Sequence, residues 1–154
     1  MENLKLKTIE EITQDLLSRL GVEVKISVEE SEGVFNVQLE TKEPGILIGY
    51  HGETLAAIQL IVGMMVWRKS GAWTKILVNV GDYRERRQES LARMAVSVAQ
   101  EAKLSGQPQT LPPMSAFDRR LIHLALAADP AVETLSEGEG KDRHVVVKTK
   151  QPSS

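Results

Sequence analysis

Two short patterns carry residues whose types and spacing suit contact with a polyanion. Gly49-Tyr50-His51-Gly52 sets two glycines three apart, directly ahead of an apolar run that opens at Glu53. Glycines let a sugar-phosphate backbone come close, and the amides of a helix N-terminus point at such a ligand. Further along, Arg119-Arg120-Leu121-Ile122-His123 puts Arg119 and His123 four apart. On a helix they share a face and offer donors to a phosphate or a planar surface to a base. Arg84, Arg86 and Arg87 cluster at the start of a third candidate helix. The macrodipole disfavours cations there, which makes nucleic-acid contact worth weighing against simple solvation.

Catalytic chemistry has little to stand on. His51, His123 and His144 could be recruited with Asp82 or Asp118, yet the chain has no His-x-x-x-His pair, nucleophile elbow or phosphate loop ending in Gly-Lys-Ser/Thr. With no cysteine, thiolate catalysis, thiolate metal sites and disulfides are excluded. No catalytic residue, metal or cofactor is expected.

The elements that must position these residues follow from periodicity. Ile9, Ile12, Leu16, Leu17 and Leu20 predict a helix over 8–20 that Gly21 ends. Residues 22–28 and 34–39 alternate apolar and polar as two strands, with Glu29 to Gly33 as the hairpin link. Pro44-Gly45 breaks the pattern, Ile46-Leu47-Ile48 forms a short turn, and Glu53 to Lys69 reads as a long, largely buried helix. Its apolar stretch, Ala56 to Trp67, is shorter than the roughly 20 residues a bilayer span needs. Trp67 and Trp73 flank the Gly71 turn and read as core or interface. A strand over 75–80 closes the first half at Gly81.

A helix over 83–104 carries the stripe Leu91, Met94, Val98 and Ala102. Ser115 followed by Asp118 resembles a capping box and opens a helix through Leu126. Residues 132–135 and 143–148, joined at Gly138-Glu139-Gly140, read as a closing hairpin. The whole is α+β, in two parts: 1–81 and 82–150, with 151–154 as a disordered tail. No flexible linker interrupts the boundary, which predicts that the halves pack together.

The 154 residues carry a net charge of -2, unfavourable for a polyanion partner. The mean hides an asymmetry, since residues 1–67 hold 5 Lys/Arg against 11 Asp/Glu and residues 68–154 hold 14 against 10. Met1 to Lys5 has no apolar run behind its charges, so no secretory signal and a cytoplasmic location are expected.

At roughly 7% glycine a chain of this length shows about 0.7 Gly-x-x-Gly spacings by chance, so the first pattern draws its weight from its surroundings. Those surroundings, Gly45 to Leu60 with two strands before and one beyond, resemble the core of a K-homology domain of prokaryotic topology. In that family the loop clamps the backbone of single-stranded nucleotides and an apolar groove receives the bases. The family commonly places Lys or Arg between the glycines, where this chain has Tyr50 and His51. Tyr50 could stack on a base and His51 donate a hydrogen bond.

Pro112-Pro113-Met114, Arg119 through His123, Val132 to Gly138 and Arg143 to Val147 together resemble the R-three-H domain. The tandem resembles the arrangement of the bacterial Jag proteins, and the additional N-terminal domain they often carry is not expected here. The resemblance implies single-stranded RNA as ligand, with single-stranded DNA as the alternative, and a dimer with itself or with a small K-homology protein. It also implies links to cell elongation and division. The residues expected at the nucleic acid are Ile48, Gly49, Tyr50, His51, Gly52, Arg84, Arg87, Arg119, Arg120, His123 and Arg143. Aspartate at Gly49 and Gly52 is expected to weaken binding and leave the fold intact. The competing reading is an assembly module that docks another K-homology chain through Ile61, Met64, Met65 and Trp67.

Overall fold

The computed structural model describes residues 1–150, so the expected tail at 151–154 lies outside the described residues. The chain divides into two compact units, Met1–Arg84 and a second from Glu85 onward. Both are α+β. By these limits the first holds 9 Lys/Arg against 12 Asp/Glu and the second 10 against 9. The charge asymmetry is therefore shallower than a cut at residue 67 suggests, because Arg68, Lys69, Lys75 and Arg84 belong to the first unit.

The first unit runs α1 (Glu2–Arg19), β1 (Lys25–Ser31), β2 (Val34–Glu40), α2 (Pro44–Ile48), α3 (Glu53–Ser70) and β3 (Ile76–Val80). The sheet order is β1-β2-β3, antiparallel between β1 and β2 and parallel between β2 and β3. The parallel pair needs a crossover, and α2 and α3 supply it. Period-2 alternation aims Phe35, Val37 and Leu39 of β2 and Ile76, Val78 and Val80 of β3 at one core, where they meet Ile9, Ile12 and Leu17 of α1 and Leu55, Ile58, Val62 and Val66 of α3. Each fully buried aliphatic side chain here contributes about 1.5–3 kcal/mol.

Several expectations need correction. Helix α1 starts at Glu2 and not at residue 8, because its first turns are exposed and carry no buried stripe to read. Strand β1 starts at Lys25 and not Val22, because the hairpin loop is two residues long. Glu32 (φ 52°) and Gly33 (φ 78°) both take positive φ, as a type I′ turn demands, and that fixes the register Ser31↔Val34 through Lys25↔Glu40. Helix α3 is not largely buried: Leu55, Ile58, Val62, Gly63 and Val66 face the core, while Leu60, Ile61, Met64 and Trp67 are exposed. Trp73 is 68% exposed, so neither tryptophan is a core residue. By length and composition Pro44–Ser70, 27 residues, would suffice to cross a bilayer, more than the run foreseen from Ala56 to Trp67. The turn at Gly49–Gly52 nevertheless divides it, and α3 seats one face on its own sheet.

Helix α4 (Tyr83–Ser105) begins in the first unit and continues into the second, followed by β4 (Gln109–Thr110), α5 (Ala116–Leu126), β5 (Val132–Glu137) and β6 (His144–Thr149). The sheet order is β4-β6-β5, all antiparallel. Two-residue β4 has no periodicity to betray it. The buried stripe of α4 is Leu91, Ala95, Ala99 and Ala102, with Met94 and Val98 partly buried beside it. Ser115 caps α5, its Oγ accepting the Asp118 N–H at 3.2 Å.

Candidate nucleic-acid interface

The Gly49–Gly52 loop is built by its neighbours. Pro44 occupies the first turn of α2, and Gly49 ends that helix with its N–H donating to the Gly45 carbonyl at 2.9 Å. Gly49 sits at φ 69°, ψ -167°, a region essentially reserved for glycine. A Cβ there would lie 2.7 Å from the Thr54 Cβ and nearer still to its hydroxyl. His51 (φ 51°, ψ 28°) and Gly52 (φ 84°, ψ 11°) are left-handed, and a Cβ on Gly52 would sit 3.1 Å from the Tyr83 ring. Both glycines are therefore needed by the packing of Thr54 and Tyr83. Aspartate at Gly49 would disturb the loop itself, contrary to the expectation that the fold stays intact.

Gly52 takes the N-cap position of α3, and no side chain caps that helix. The Glu53 amide donates to the Tyr50 carbonyl, and the remaining first-turn amides and the positive end of the helix dipole lie beside an open loop. Tyr50 is 72% exposed and stacks on His51 with ring centroids 4.0 Å apart and planes at 27°. Ile48 is buried in the core, so it supports the loop from beneath. Glu53 is the only charged side chain in residues 49–53, and it is acidic.

The cations behave differently. Arg84 belongs to the first unit, where Nε and Nη2 donate to the Val78 carbonyl at 3.1 and 2.7 Å and Nη2 also donates to Gln59 Oε1 at 2.8 Å. In the second unit Arg87 pairs with Asp118 through Nε at 3.2 Å and Nη2 at 3.0 Å, with side-chain exposures of 15% and 8%. The capping box is consequently half-built: Ser115 receives the Asp118 amide, and the Asp118 carboxylate turns to Arg87.

Arg119 and His123 do share a face of α5, each with internal partners. Arg119 Nη1 donates to the Met114 carbonyl at 2.7 Å, and His123 lies between two hydroxyls of β5, Nδ1 2.6 Å from Thr134 Oγ1 and Nε2 3.2 Å from Ser136 Oγ. Partial burial, and secondarily the Arg119 charge, hold the His123 pKa below the ordinary histidine value. The imidazole is then neutral at pH 7 and offers one donor, engaged with a hydroxyl. Arg143 Nη1 donates to the Gly138 carbonyl at 2.9 Å. Arg120 is exposed, with no hydrogen bond or ion pair among the described residues. Phe117, 61% exposed, stands one turn before it on α5. Residue order alone passes over Phe117, and the signal available is an aromatic three residues ahead of an arginine on one helix face.

The two units form a tandem of two known domain types: residues 7–78 match the family "KhpA/KhpB, KH domain" and residues 89–149 match the R-three-H domain. RNA-binding protein KhpB of Clostridium symbiosum is 38% identical over 152 residues, which cover 97% of this chain and 68% of that protein. The proteins of the same name from Streptococcus pneumoniae strain D39 and Bacillus subtilis are 33% and 27% identical over 88% and 90% of the chain. The chain belongs to the KhpB family, in which a KH domain is followed by an R-three-H domain, as the Jag resemblance implied. It spans 42% of the streptococcal protein and 67% of the Bacillus one.

Proposed function

We propose that this chain binds single-stranded RNA without catalysis, in the cytoplasm, as part of post-transcriptional regulation linked to cell elongation or division. The observation that carries the reading is the Gly49–Gly52 loop: backbone bare of side chains at both glycines, the uncapped start of α3 beside it, and an exposed Tyr50 for a base. Phosphate meets amides and bases meet an aromatic ring, so affinity needs no fixed charge in the loop. In the second unit, Arg120 and Phe117 are the contacts this reading favours. Arg87, Arg119, His123 and Arg143 act by holding the scaffold. Fluorescence anisotropy with a labelled single-stranded RNA and the DNA of the same sequence tests the proposal. Saturable binding that weakens steeply with salt supports it. Binding equal to that of an unrelated acidic protein of similar size sinks it.

A second reading has its own observation. The outer face of α3 exposes Leu60, Ile61, Met64 and Trp67, with Trp73 nearby in sequence and also exposed. Such a patch suits pairing with another K-homology chain. Sedimentation of Met64→Glu against the parent tests it: a smaller species supports pairing through this face, and an unchanged one excludes it.

A further inference from the structure

The three-stranded sheet of the first unit has two free edges, β1 and β3. A free edge presents unpaired N–H and C=O groups and templates the addition of another strand. The two edges are guarded by different means. Strand β1 carries Lys25, Glu29 and Glu30, charges that discourage a neighbour. Strand β3, Ile76-Leu77-Val78-Asn79-Val80, carries none.

The parallel register identifies which groups of β3 face outward. Phe35 N–H donates to the Lys75 carbonyl and Gly81 N–H to the Leu39 carbonyl. The backbone groups of Leu77 and Asn79 therefore face β2, and those of Ile76, Val78 and Val80 point away from it. Side chains of the same unit occupy three of these groups. Val78 N–H donates to Gln59 Oε1 at 2.9 Å, and the Val78 carbonyl accepts from Arg84 Nε and Nη2 at 3.1 and 2.7 Å. Arg84 Nη2 also donates to Gln59 Oε1 at 2.8 Å, which closes a ring of bonds around one peptide position. Val80 N–H donates to Asn79 Oδ1 at 3.0 Å. The only non-glycine polar residue between Ala56 and Trp67, and the cation at an unfavourable helix start, thus converge on the uncharged edge.

We propose that Gln59 and Arg84 form a cap that closes the β3 edge to strand addition by a second copy of this chain. An incoming strand must displace both partners of Val78, one of them a charge-assisted donor, before its own amide and carbonyl can pair. The cap is thus a built-in barrier to edge-to-edge association, independent of the RNA reading.

The test is sedimentation of the full chain carrying Gln59→Ala and Arg84→Ala, over a range of concentrations, with amide exchange at Val78. The double variant should exchange its Val78 amide about tenfold faster, the loss of roughly one hydrogen bond. It should also grow in mass with concentration beyond the parent. Leu77→Lys in that background places a charge on the bare edge and should return the parent's sedimentation. A double variant that sediments as the parent at every concentration overturns the proposal, and so does growth in mass that Leu77→Lys leaves in place. If circular dichroism shows the double variant unfolded, Arg84→Ala alone, which keeps Gln59 on the Val78 amide, is read by the same two outcomes.

Discussion

The Gly49–Gly52 loop and the Arg119/His123 helix face are the two places where the chain concentrates polar function, and they are built in opposite ways. In the loop the backbone supplies the polar groups: positive-φ glycines, a helix start without a side-chain cap and an exposed tyrosine, with the Gly49 and Glu53 amides held by the Gly45 and Tyr50 carbonyls. On α5 the side chains are plentiful and already engaged, Arg119 with Met114 and His123 with Thr134 and Ser136. The signature motif on α5 is therefore bonded internally and shapes the surface around it. The Arg-x-x-x-His pair fastens the 112–114 segment and strand β5 to α5, and leaves Phe117 and Arg120 facing solvent.

Breaking the scaffold of the second unit should give the largest effect. Arg87→Met removes the partner of a buried carboxylate, and an unpaired buried charge costs about 3–5 kcal/mol. Thermal unfolding should show a fall of that order, with Asp118→Asn in the same background recovering part of it. Next is Gly49→Ala, which meets Thr54 and a backbone region closed to side chains. Strain of about 1–3 kcal/mol should appear in denaturant titration, together with weakened RNA binding. Tyr50→Ala removes a side chain that the loop does not need for its own shape. It should leave unfolding unchanged and cost RNA affinity by about 1–3 kcal/mol, the worth of one stacked base, read by anisotropy.

The smallest effect concerns pH. Burial holds His123 below its unfolded value, so the unfolded chain binds the extra proton and stability falls as pH drops below about 6.5. His123→Gln should flatten that part of the stability–pH profile measured by chemical denaturation. A profile identical in slope to the parent's would remove His123 from the account.

Much of this is legible from residue order, because buried stripes and turn glycines leave local marks. The order of the first unit's elements, the loop, the bounds of α3 and the Ser115 cap all follow from such marks. What escapes is set by partners distant in sequence. Nothing local tells that Arg84 will reach Val78 or that Arg87 will bury against Asp118, and both read as surface cations. The start of strand β1 is misplaced by three residues because Glu32 is an uncommon occupant of a left-handed turn position. The exposed half of α3 is invisible to an argument that counts apolar residues without asking how many faces the fold can cover.

In the proposed mode of binding, RNA meets the loop backbone of the first unit and the exposed side of α5, while the Arg-x-x-x-His pair works from behind. Titration of the isotopically labelled chain with a short single-stranded RNA, followed by amide resonances, addresses it directly. The largest, saturable shifts are expected at Gly49 to Glu53, with a second group at Phe117 and Arg120. Resonances of the loop that stay in place while those around Arg119, His123, Thr134 and Ser136 move would contradict it.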